Sequence, residues 1–123
     1  MNAPDAEADF DIRLDRYGDV VLLQLSGRLE GAACHVLQQY LVKVLAARMP
    51  PLLVVDLEGL VAADPYGRDI LLSAGRHSRA SDGRLIVIGA GVLPALEDGD
   101  LDLSPSVEDA LAALRGGRGT TGG

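Results

Sequence analysis

Residues 10–16, Phe10-Asp11-Ile12-Arg13-Leu14-Asp15-Arg16, alternate apolar and polar without a break. The period of two predicts a half-buried strand with Phe10, Ile12 and Leu14 turned inward. A turn at Tyr17-Gly18-Asp19 leads into Val20-Val21-Leu22-Leu23-Gln24-Leu25, apolar on both faces and therefore more central. So short a turn joins the two strands as an antiparallel hairpin. Residues 26–31 read as a loop. From Ala32 to Arg48 the apolar positions Ala33, Val36, Leu37, Tyr40, Leu41, Val44 and Leu45 recur at intervals of three and four, the mark of an amphipathic helix, which Pro50-Pro51 stops. Leu52 to Leu57 is a β-rich apolar run, the third and most buried strand. Strand, helix, strand in this order implies a parallel crossover. A second helix opens at Asp64-Pro65, carries Ile70, Leu71, Ala74 and Ser78 on its apolar stripe, and ends at Ser81-Asp82-Gly83. Leu85-Ile86-Val87-Ile88 is a fourth strand, again parallel. A short helical turn over 92–96 and a brief edge strand at Leu101-Asp102-Leu103 follow. Ser106 then caps a last helix with Val107, Ala110, Leu111 and Leu114 on one face. Glu108 and Asp109 suit that helix's positive end.

The order β-β-α-β-α-β-(short α/β)-α makes the fold class α/β: a mixed sheet of four to five strands with helices packed on it. With 123 residues, one domain is expected. Residues 10–115 form it, between a disordered acidic tail at 1–9 and a disordered glycine-rich tail at 116–123.

Composition narrows the function. Aromatics make up only 3% of the chain, so the core is aliphatic and there is little for nucleic-acid bases to stack on. A net charge of −7 and a pI near 4.6 oppose binding to a phosphate backbone and favour a basic partner. No nucleic-acid role is expected. Cys34 is the only cysteine, which excludes an internal disulfide and a cysteine-rich zinc site. The first residues lack the basic and apolar regions of a signal peptide. No apolar run approaches the ~20 residues of a membrane span. A cytoplasmic protein without membrane contact is expected.

No catalytic set converges. His35 and His77 are the only histidines. Cys34 and His35 are neighbours about 100° apart on a helix, a poor metal pair, and read as surface or helix filler. No Gly-x-Ser-x-Gly elbow is present. Gly89-Ala90-Gly91 lacks the third glycine of a dinucleotide loop and reads as a tight turn. Asp56 and Asp64 read as two carboxylates near one loop, able to hold magnesium or to bond the loop's backbone. For Asp64 the second role is preferred: it is an N-cap, with Pro65 at the first helical position, where a missing N–H costs little. The chain is therefore expected to be no enzyme and to use no metal or cofactor.

The most informative segment is Asp64-Pro65-Tyr66-Gly67. A helix start presents unpaired N–H groups and partial positive charge, which suits an anion or a hydroxyl awaiting phosphate. Yet no serine or threonine occurs between Gly59 and Leu72, and a tyrosine sits there instead. Gly67 weakens the first helical turn, which suggests a close approach by another backbone or a partner. Arg68 and Asp69 are expected to point outward.

These elements and loops together resemble STAS domains, in particular the small single-domain bacterial anti-sigma factor antagonists. The resemblance spans residues 10–115. It rests on Leu25-Ser26-Gly27-Arg28-Leu29-Glu30-Gly31-Ala32, on Leu53-Val54-Val55-Asp56-Leu57-Glu58-Gly59-Leu60 and on Asp64-Pro65-Tyr66-Gly67. Gly83-Arg84-Leu85 and Ser106-Val107-Glu108-Asp109-Ala110-Leu111 extend it. It implies a protein-interaction module in the regulation of sigma factor activity. Its partner would be an anti-sigma factor with a serine-kinase-like ATP-binding fold, which phosphorylates the second serine of an Asp-Ser-Ser-Gly turn. In this chain Asp64 and Gly67 match that turn, Pro65 replaces the first serine and Tyr66 the phosphoacceptor. Glu30 stands where the family usually has aspartate, and Arg68 where it has an apolar residue. The resemblance thus assigns Glu30, Asp64, Pro65, Tyr66, Gly67 and Arg68 to the docking surface and implies that the serine switch is lost. A second reading is a sensory or ligand-binding STAS domain in a larger signalling assembly, for which a concave pocket with convergent polar groups would be the discriminator. The sequence leaves the oligomeric state open.

Overall fold

The computed structural model describes residues 10–97 and 99–120, with side chains as far as 115. Five strands form one sheet in sequence order: β1 (Phe10–Tyr17), β2 (Val20–Leu29), β3 (Leu52–Ala63), β4 (Arg84–Ile88) and β5 (Asp102–Ser104). β1 and β2 are the antiparallel hairpin, and every later pairing is parallel. The helices are α1 (Ala32–Ala47), α2 (Pro65–Ala80) and α3 (Val107–Thr120), with a single 3-10 turn at Ala90–Val92.

The doubly apolar strands are explained by the layers. Leu23, Leu25, Leu53, Val55, Leu57, Leu85 and Val87 face α1 and α2, whose Leu37, Leu41, Ile70 and Leu71 close the larger core. Val20, Leu22, Val54, Ile86 and Ile88 face the other way and are covered by Ala110, Leu111 and Leu114 of α3. A parallel sheet covered on both sides needs apolar residues at both parities.

Six expectations are corrected. Residues 26–29 are strand, not loop, and β3 runs on to Ala63 instead of stopping at Leu57. The two extensions pair with one another as far as Leu29 opposite Ala63, across register shifts. Gly59 makes this possible. A Cβ there would lie 2.8 Å from the Leu25 carbonyl oxygen and 3.0 Å from Ser26 Cβ, so only glycine lets the strands close at the irregularity. The helical turn comes at 90–92, before the expected 92–96, after Gly89 turns the chain at φ 75°. The buried stripe of α1 is Cys34, Leu37, Leu41 and Leu45; Val36 and Tyr40 are exposed. On β1, Phe10 and Ile12 are half-buried, but Leu14 is exposed, because it lies on an outer strand. α3 continues to Thr120, where a tail was expected from 116. The remaining tail segments, 1–9 and 121–123, lie outside the described residues.

Candidate functional site

The ends of β2 and β3 deliver two helix starts to one place. Leu29 and Ala63 are paired, and the Asp64 N–H donates to the Leu29 carbonyl at 3.1 Å. Asp64 then leaves the strand with extended backbone and caps α2, with Pro65 at the first helical position. One carboxylate oxygen accepts the Gly67 N–H at 2.9 Å and the Cys34 thiol at 3.4 Å; the other accepts the Gly31 N–H at 3.2 Å. α1 has no side-chain cap of its own at Gly31, so Asp64 serves the entries of both helices.

This network shifts both ionisable groups. The Gly67 N–H, seconded by Gly31, Cys34 and the Tyr66 N–H, holds the Asp64 carboxyl below its usual range against a smaller opposing effect of desolvation. Burial, the hydrogen bond to Asp64 and the charges of Asp64 and Glu30 push the Cys34 thiol up to about 12. At neutral pH the pair is a carboxylate accepting from a protonated thiol.

The close approach expected at Gly67 is present. A Cβ there would meet Leu29 Cδ2 and Cγ at 2.8 Å, and Leu29 is itself fully buried. Gly67 faces inward while Tyr66 stands outward, 45% exposed, with its ring edge-on to His35 (centroids 6.1 Å apart, planes at 77°). From Tyr66 an open groove of about 460 Å³ runs between α1 and α2, floored by Leu41, Leu45, Ile70 and Ala74, with Asp69 and His77 in its lining. Glu30 is exposed at the β2–α1 turn, 3.9 Å from Arg28.

Three expectations change. Cys34 is a fully buried member of the network, not filler. The missed signal was its spacing, because 34, 37, 41 and 45 form a stripe at intervals of three and four. Arg68 is half-buried and turned back, donating from Nη1 to the Pro94 carbonyl at 3.1 Å while pairing with exposed Asp69 at 3.0 Å. Asp56 and Asp64 do not share a loop. Asp56 is buried within β3, where it accepts the Glu58 N–H at 2.9 Å and the Gln24 side-chain amide at 3.4 Å. Seven strand residues separate the two carboxylates, and at about 3.3 Å per residue a strand of that length keeps them from sharing an ion. Among the described residues no three His, Cys, Asp or Glu side chains group as a metal site.

Solved structures with this architecture identify the fold. An anti-sigma factor antagonist from Mycobacterium paratuberculosis superposes with a TM-score of 0.76 at 24% identity, over 94% of this chain and 99% of that one. The anti-sigma factor antagonist SpoIIAA in its unphosphorylated form gives 0.69 at 18% identity, over 86% and 99%. The STAS domain of an antisigma-factor antagonist from Rhodobacter sphaeroides gives 0.53 at 16%, over 72% and 96%. This chain has the STAS fold. No protein-family model and no curated protein sequence matches it. In this STAS fold the shared cap at Asp64, the exposed Tyr66 and the mouth of the inter-helix groove lie together at the start of α2.

Proposed function

We propose that the protein is an anti-sigma factor antagonist, a non-enzymatic binding module in the control of sigma factor activity. It docks on an anti-sigma factor through the surface presented by Glu30, Asp64, Pro65, Tyr66 and Arg68, which the buried Gly67 shapes from beneath, and is not switched by serine phosphorylation. The observation that carries this reading is the contrast within one helical turn. Asp64 and Gly67 keep the backbone frame through the Gly31, Cys34 and Leu29 contacts, while Pro65 and Tyr66 between them face solvent, and the position of the phosphoacceptor serine is taken by Tyr66. A phenol extends farther from the backbone than a serine hydroxyl, which makes it a poor substrate for a serine-kinase pocket. It is also uncharged, so it does not imitate a phosphoserine. The solved STAS structures named as anti-sigma factor antagonists support the role. No described helix is long and apolar enough to cross a membrane. The acidic net charge suits a basic partner over nucleic acid.

The test is incubation with the cognate anti-sigma kinase and ATP, followed by intact-mass analysis. The protein stays unmodified and bound, whereas Tyr66→Ser takes up phosphate. Stoichiometric phosphate on any residue from 64 to 73 of the unaltered protein would sink the loss of the switch. Separately, Tyr66→Ser and Arg68→Leu change the affinity for the captured partner; if neither does, the start of α2 is not the interface.

A second reading, a sensory or ligand-binding STAS domain, is favoured by the apolar groove between α1 and α2 with Tyr66, Asp69 and His77 in its lining. Native mass spectrometry of protein purified from its own host distinguishes the two. A stoichiometric small molecule lost on Ala74→Trp supports the ligand reading.

A further inference from the structure

Among the described residues β1 is an outer strand, eight residues long, whose one partner is β2. The opposite edge, β5, is three residues, and a short edge offers little to a second chain. β1 offers a row of backbone groups, and among the described residues nothing covers the apolar surface beside it. Leu14 and Tyr17 are exposed on the strand itself. Above the strand, α1 exposes Val36 and Tyr40, which with Phe10 and Ile12 line a second open groove, of about 390 Å³.

The charges on β1 choose the occupant. Phe10, Ile12, Leu14 and Arg16 share the face toward α1; Asp11, Arg13, Asp15 and Tyr17 share the other. When two copies meet antiparallel about a two-fold axis, opposed residues must have equal parity for both helical layers to stay on one side. That leaves few registers. Centring on Arg13 sets it against itself and Asp11 against the partner's Asp15. Centring on Asp15 opposes that residue to itself. Centring on Ile12 opposes Asp11 to the partner's Arg13 but aligns only residues 10–14. Centring on Leu14 aligns 11–17, sets Arg13 against the partner's Asp15 twice, and stacks Leu14 on its own copy. Opposite charges directly across a strand pair are favourable and like charges unfavourable.

We propose that β1 is a self-pairing edge: two copies of this chain join antiparallel through β1, in register about Leu14, into one continuous sheet. Both α1 helices then stand over the joined edges on the same side, and Val36 and Tyr40 of each copy face their counterparts across the axis. The contact is isologous and closes at two subunits. It uses the sheet edge farthest in strand order from β5 and does not consume Tyr66.

Sedimentation equilibrium of the full chain, from micromolar to millimolar concentration, tests this. A reversible dimer is expected. Arg13→Asp sets like charges against each other twice and raises the dissociation constant at least about tenfold. Arg13→Asp combined with Asp15→Arg restores it to near the original value, since the pairs are only exchanged. Circular dichroism checks that these exposed substitutions leave the fold intact. A chain that stays monomeric throughout overturns the proposal. So does a dimer indifferent to Arg13→Asp, and so does a double variant that fails to recover.

Discussion

The Cys34 thiol points at the Asp64 carboxylate over 3.4 Å, from one helix to the cap of another. Cys34 is fully buried, and a thiolate beside a carboxylate in that position is doubly disfavoured. With its folded-state value at about 12 against an ordinary 9.0, the thiol contributes stability that is complete below 9.0 and lost as pH rises toward 12. We expect native protein at pH 8 to react with a thiol reagent such as dithionitrobenzoate only as fast as it opens, and unfolded protein to react at once. Asp64→Asn removes the charge facing the sulfur and accelerates the native reaction. Equal rates for native and unfolded protein would show that the thiol is not held in this network.

Asp64 titrates in the opposite sense. Its carboxyl lies below the ordinary 3.8 because the Gly67 and Gly31 N–H groups and the Cys34 thiol favour the ionised form. A depressed folded-state value stabilises the fold fully above 3.8, and this contribution disappears as pH falls through the depressed value. Asp64→Ala removes the cap of α2 and strands the Gly31 N–H, with an expected cost of about 1–2 kcal/mol at neutral pH in urea unfolding. Asp64→Asn keeps an acceptor oxygen, so its cost at neutral pH is smaller, and it flattens the acid limb of the stability curve below pH 3.8. Acid unfolding curves of Asp64→Asn and the original chain that run parallel would contradict this account.

The layers, the strand parities and the cap at Asp64 were legible because each leaves a local pattern: alternation, three-and-four spacing, or a capping residue before proline. What was not legible depends on partners distant in sequence. Glu58-Gly59 reads as the start of a loop, and only the approach of Leu25 and Ser26 shows it to be strand at an irregularity of the ladder. Arg68 looks like a solvated charge until Pro94 arrives beside it. Val36 and Tyr40 fit an apolar stripe, but they line an open groove beside β1, and among the described residues nothing buries them. The Asp64–Gly67 frame was read from four residues, whereas its supports at Leu29, Gly31 and Cys34 come from another strand and helix.

Arg68 ties the start of α2 to the segment after the 3-10 turn through the Pro94 carbonyl. A hydrogen bond from a charged donor contributes about 1.5–3 kcal/mol when well buried. At 21% side-chain exposure the lower end applies. Arg68→Leu should therefore cost about 1 kcal/mol or less, since the leucine recovers part by packing. The effect should be local, seen as faster amide hydrogen exchange in residues 93–97 with little change in the core strands. Unchanged exchange there would mean that the Pro94 contact does not hold the segment.

Gly67 and Leu29 make the sharpest packing prediction, because two opposing effects have known sizes. Alanine gains about 1 kcal/mol over glycine in a helix interior by propensity alone, which is an upper limit for Gly67 in the first turn of α2. Here the new Cβ would lie 2.8 Å from both Cγ and Cδ2 of a fully buried leucine, so the Leu29 side chain must shift within the core. Overpacking of this kind costs about 1–3 kcal/mol, so the clash outweighs the propensity gain and Gly67→Ala destabilises. Leu29→Ala alone opens a cavity and costs about 2–5 kcal/mol. Combined, the alanine methyl at 67 occupies part of the space that Leu29 vacates. The double variant should therefore be more stable than the sum of the two losses implies, by about 1 kcal/mol or more. Denaturant unfolding of the four proteins in the cycle measures this coupling. Strict additivity would mean that Gly67 is retained for a partner's approach and not for Leu29.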